Sequence, residues 1–270
     1  MENKLKTITW VNQFSYMKNK LVLLLLILPI YVCGQIKTPH FREGNKTVDL
    51  SKEAIALLKK YDFSSLWTFT DNAYVYGFIG ENHQRIRVKI LKVTKDSLNE
   101  HIYHISGKTM VKTNICEFSG DIFITKIRKY EKTSTGVDGE FANKVTNEYS
   151  LTGNYIFFEG KTQVHTGVFK GIFQTDFYLD KQNKLHYDDL NYASDSFTNN
   201  QFVGSWKSYS SNLAKLCNWG DYRIPNSGNF DIGAGDFSPN TKDVSLEWQT
   251  VIESYHSEKA KKEETSTWWK

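Results

Sequence analysis

Between Trp67 and Tyr209 apolar residues recur at every second position, a period that only extended chain can use to build one buried face. In the run Arg85 to Ile90, the residues Ile86, Val88 and Ile90 fall on one face and Arg85, Arg87 and Lys89 on the other. In the run Gly171 to Leu179, Phe173, Thr175, Phe177 and Leu179 share a face, and the polar stretch from Asp180 to Lys184 reads as a hairpin loop. Roughly ten to twelve short strands fit this region, with few helical stretches long enough for parallel crossovers. The expected fold is all-β, a mostly antiparallel β-barrel or sandwich with short flanking α-helices.

Glycine punctuates these strands in one recurring setting, apolar-x-Gly-x-large apolar. It appears around Gly120, Gly153, Gly171 and Gly204, with 33 residues separating the first two and 33 the last two. Glycine inside a strand marks a bulge, a sharp bend or a close backbone approach. The repeat favours a bent sheet that closes toward a barrel, and the equal spacing suggests two related halves.

Short amphipathic helices are expected on both sides of this body. Leu50, Ala54, Leu57, Leu58 and Tyr61 form one stripe behind Asp49 or Ser51 as N-cap, and Val244, Trp248, Val251, Ile252 and Tyr255 form another behind Asp243. The charged tail, residues 257–270, reads as frayed or as a helix extension, with Trp268 and Trp269 folding back onto the body or meeting a partner.

The only long apolar run is Leu21 to Val32, twelve residues. A spanning helix needs about 20, whereas a secretory signal needs about 7–15 after a basic lead, here Lys18 and Lys20. Val32 and Gly34 place small residues before a cut at Gln35. The reading is a signal peptide over 1–34 whose true start is Met17, a single β-rich domain over 35–256, and export to the periplasm or the outside. Cys33 follows Ile30-Tyr31-Val32, a poor lipid-attachment motif, so lipidation of Cys33 is the lesser alternative. Removing 1–34 takes four of the 34 basic residues and one of the 30 acidic ones, which leaves one net positive charge. Such a balance argues against a nucleic-acid partner, and no transmembrane helix is expected in the mature chain.

Cys116 and Cys217 remain. Outside the cytoplasm they can bridge, which would constrain the unfolded chain by roughly 4–5 kcal/mol, or stay as two buried thiols. No G-x-S-x-G, H-E-x-x-H, P-loop or dinucleotide fingerprint is present. His101 and His104 point to opposite faces of a strand and do not form a ligand pair. The cationic face of Arg85, Arg87 and Lys89 reads as a solvated strand face.

The least ordinary segment is 217–240, dense in glycine, asparagine and aspartate. Long loops of this kind are often functional. Asp221, Asp231 and Asp236 offer oxygen ligands of the type calcium takes, although their spacing is not an EF-hand. A self-capping turn cluster accounts for the same residues. Any ligand site is expected where Trp206, Trp219, Asp221, Arg223, Asp231 and Asp236 meet, a mixture of flat apolar faces and hydrogen-bonding groups suited to a glycan or another small molecule. The expected class is an exported binding or interaction module with no cofactor; a glycan-acting hydrolase and a structural or inhibitory envelope protein are the alternatives.

Overall fold

The computed structural model describes Phe41 and residues 48–270, all within one compact unit, Pro39–Lys270. The expected signal segment, Met17 and Cys33 lie outside the described residues. Eleven strands form one antiparallel sheet: β1 (Val48–Glu53), β2 (Val75–Ile79), β3 (Gln84–Arg85), β4 (Arg87–Lys95), β5 (Ile102–Val111), β6 (Asn114–Tyr130), β7 (Val145–Glu159), β8 (Gly167–Asp180), β9 (Leu185–Tyr187), β10 (Asn199–Ser208) and β11 (Ala214–Asp221). Their order is β3-β2-β11-β10-β8-β7-β6-β5-β4, with β1 on β6 and β9 on β8. The sheet curls into a half-barrel. Its two end strands, β3 and β4, are separated in the chain by Ile86 alone, whose N–H donates to the Gly77 carbonyl at 3.0 Å. One extended run therefore leans on β2 with its first residues and on β5 with the rest.

The alternation legible in the sequence is the alternation of burial. Ile86 and Val88 point inward, as do Phe173, Thr175, Phe177 and Leu179 on β8. The interior is filled by aromatic rings rather than left open: Tyr155, Phe157, Phe169 and Phe202 pack around Trp219, which stacks on Phe202 at 4.8 Å between centroids, and Phe173 stacks on Phe202 in turn.

Glycine makes this possible. In register across three strands, Tyr155 pairs with Gly171, and Gly171 pairs with Gly204. A β-carbon on Gly171 would stand 2.9 Å from the Tyr155 ring, so the two glycines form a trough in which that ring lies. At Gly120 and Gly153 a β-carbon would run into the carbonyls of Ile156 and Phe123 on the neighbouring strands. The close-approach reading of these glycines holds, but the two halves are not equivalent: Gly171 faces Gly204, whereas Gly120 faces Phe157 and Gly153 faces Ile124.

The flanking helices are shorter than their patterns. Val48–Glu53 is strand, paired with the end of β6, and only Leu57–Lys60 (α1) is helical. An available sheet edge outweighs a weak local preference there. The second stripe is split into a 3-10 turn, Thr241–Leu246, and a helix, Gln249–Glu253 (α2), because Glu247 between them is left-handed at φ 72°. The N-cap is Asn240, not Asp243. Trp248 and Val251 are buried as expected, in a second cluster with Phe78, Ile224, Phe230 and Phe237 on the outside of β2. The tail is neither frayed nor free: Glu258–Glu264 (α3) packs beside α2. Its Glu264 takes both Arg85 and Arg87, and Lys89 lies 5.0 Å from the Trp269 ring centre. The outer cations of β3 and β4 thus dock the tail instead of facing water.

Candidate functional site

One end of the half-barrel is plugged. Leu58, Phe63, Leu66 and Trp67, from α1 and the turn after it, join the aromatic core, and Trp67 Nε1 donates to Thr175 Oγ1 at 3.0 Å. The β2–β3, β5–β6, β7–β8 and β10–β11 connections gather at the opposite end. Between them opens a concavity of about 480 Å³, lined by Ile79, Ile86, Val111, Phe169 and Leu213 as apolar wall, by Lys112 and Lys215 as cationic groups and by the His165 imidazole.

The floor of this mouth is an indole and a carboxylate. Trp206 Nε1 donates to Glu159 Oε2 at 2.8 Å, Gly167 N donates to the same oxygen at 2.9 Å, and Thr109 Oγ1 donates to Oε1 at 2.8 Å. Glu159 is 5% exposed. Burial pushes its carboxyl above the usual range, against the pull of these three donors. Cys116 lines the same mouth; burial and the nearby Glu159 push its thiol up to about 11, so it is held as the unreactive thiol.

The turns of the two ends differ in chemistry. Asparagine, the residue that tolerates left-handed backbone best after glycine, holds that conformation in the β6–β7 and β8–β9 connections, at Asn143 and Asn183. In the turns that frame the mouth, the same backbone is held by His83, Lys112 and His165, at φ 54–55°. These side chains stand there at a conformational cost.

The residues expected to share one site are divided. Trp206 stands at the mouth, and Trp219 is in the core, 3% exposed. Asp221 lies at the plugged end, where Thr70 Oγ1, Tyr187 OH and Asn200 Nδ2 all donate to its Oδ2 at 2.7–2.9 Å. Burial raises its pKa to about 6 despite those donors. Arg223 and Asp231 bond to each other at 2.6 Å with both side chains buried, and the guanidinium also takes the carbonyls of Gly233, Ala234 and Gly235. The glycine-rich loop is therefore wound around its own arginine, the self-capping arrangement. Asp236 contributes its backbone to the turn that Gly233 needs, where any β-carbon would meet the Asp236 carbonyl. Among the described residues no three histidine, cysteine, aspartate or glutamate side chains converge as a metal site. Cys116 and Cys217 are free, buried thiols, so the bridge is not formed.

Sequence reasoning passed over Glu159, Thr109, Lys112, His165 and Lys215. A signal existed for the first: Leu151, Gly153, Tyr155, Phe157 and Glu159 share the inward parity of β7, and a glutamate at an inward position is not there for solubility. No known protein family, curated protein or solved structure matches this chain. Among the described residues no helix is long and apolar enough to cross a membrane.

Proposed function

We propose that this chain is an exported binding module that holds a small molecule in the mouth of its half-barrel. The observation that carries the reading is the concavity of about 480 Å³ floored by the Trp206–Glu159 pair, of a size that admits one or two rings. The aromatic filling behind it stops a long chain from threading the interior, so the ligand is compact. Among the described residues Glu159 is the single carboxylate that lines the mouth, and Glu247 beside it is engaged by Lys112 N and Gln84, so the facing carboxylate pair of most glycoside hydrolases is not built there. Binding is favoured over hydrolysis.

A thermal-shift panel tests the reading, with methyl glycosides and compact aromatic compounds offered to the wild type and to Val111→Trp, which fills the mouth. Ligands that raise Tm in the wild type and not in the filled variant support it. No shift with any compound, or shifts that survive the filling, would remove the mouth as the site. Export rests on the tripartite pattern around Leu21 to Val32. It predicts a mature N-terminus at Gln35; a lipid-modified Cys33 would instead place the protein on a membrane surface.

A further inference from the structure

Resting on the mouth as a binding site, we infer that its ligand is a compact ring compound carrying an anionic group (carboxylate, sulfonate or phosphate), with the ring against Phe169 and Trp206 and the anion between Lys112 and Lys215. Two observations converge on this. Lys112 and Lys215 both line the mouth, and neither has an ion-pair partner among the described residues. A cationic rim around an apolar wall matches an anion joined to an apolar body. The left-handed backbone at Lys112 and His165 lifts a lysine and an imidazole to the rim at positions where asparagine or glycine would fit with less strain.

Two carboxylates face the same region. Glu159 is part of the floor, and its two oxygens are occupied by Trp206, Gly167 and Thr109, which turns its acceptor positions away from a ligand. Glu247 Oε2 takes the backbone N–H of Lys112 and the side chain of Gln84, which leaves the Lys112 ammonium to the ligand. Asn82 and Thr113 complete the rim with neutral polar groups, and the Asn114 amide is engaged by Cys116 Sγ and the Val164 carbonyl.

The test compares three probes on one ring with the same substitution, 2-naphthoate, 2-naphthamide and 2-naphthylmethylammonium, by isothermal titration calorimetry on the purified protein. Naphthoate should bind at least about tenfold tighter than the amide, weaken as salt is raised, and lose at least about tenfold in Lys112→Glu/Lys215→Glu. Lys108→Glu, outside the mouth lining and paired with Glu117 at 3.5 Å, should leave it unchanged. Near-UV circular dichroism checks that the double variant keeps its fold, and single Lys215→Gln provides a milder reading of the same loss. Equal or tighter binding of the amide or the ammonium would overturn the anion while leaving the mouth as a site. Absence of binding by all three would overturn the anion and count against the mouth, a result the broader thermal panel then decides.

Discussion

The hydroxyl of Tyr155 lies over Gly204 so closely that a β-carbon there would stand 2.5 Å from it. The ring fills the trough of Gly171 and Gly204, but its hydroxyl is buried without a hydrogen-bond partner among the described residues. Shape and polarity therefore pull in opposite directions at one residue. Tyr155→Phe should keep the packing and remove the desolvation cost, raising stability by on the order of 1 kcal/mol. Gly204→Ala should do the reverse, costing about 1–3 kcal/mol or more because the new methyl also meets the Lys170 carbonyl. Urea unfolding of both variants measures the pair, and a destabilised Tyr155→Phe would mean that the hydroxyl has a partner.

At the plugged end, Asp221 should make stability fall as pH rises. Its native pKa of about 6 lies above the unfolded carboxylate's, so the unfolded chain gives up this proton first. The contribution is fully present below about pH 4 and is lost between there and about pH 6, on the order of 2–3 kcal/mol in total. Comparing unfolding free energies of the wild type and Asp221→Asn across this window isolates the effect; parallel curves would show that Asp221 is ionised in the native state.

On the outer face, His104 sits between two acids, Nδ1 at 2.7 Å from Asp121 and Nε2 at 2.9 Å from Asp96. Both nitrogens can donate only in the imidazolium. Its pKa is raised, first by the Asp121 bond and then by the Asp96 bond, and that of Asp96 is lowered, chiefly by the bond to His104. The clamp is intact below the ordinary histidine pKa near 6.5 and opens as pH climbs through the raised one. Proton NMR titration should place His104 above 6.5, with Asp121→Asn lowering it more than Asp96→Asn. The site is half exposed, so global stability should change little.

The docked tail should be a stability element. Burial alone would raise the Glu264 carboxyl, but Arg85 and Arg87 outweigh it and hold it below the usual range. Glu264→Ala leaves two guanidiniums without their carboxylate on a mostly buried surface. The expected cost is about 3 kcal/mol, read by thermal or urea unfolding. A loss below 1 kcal/mol would indicate that α3 separates easily from the sheet.

The sheet and its inward faces were legible because burial on one side enforces a period of two, and β6, β7 and β8 keep it over more than ten residues each. The site was not, because its parts come from four connections far apart in the chain, and only register brings Glu159 beside Trp206. The 217–240 loop drew notice through composition, which cannot separate a ligand-binding loop from one wound around its own arginine. The helix over Leu50 to Tyr61 failed at its first half, where β6 offers hydrogen bonds that local pattern does not reveal.

The single run from β3 into β4 has a kinetic consequence. Most neighbours in the sheet follow closely along the chain and can zip as local hairpins, whereas the β2–β11 seam joins residues near the two ends of the sheet's sequence. Loop-closure entropy is paid most heavily at that seam, and the Cys217–Ile79 rung lies on it. Folding should therefore proceed as a hairpin series whose slow step is the arrival of β11 at β2, and an engineered disulfide across that seam should accelerate refolding far more than one across β6 and β7.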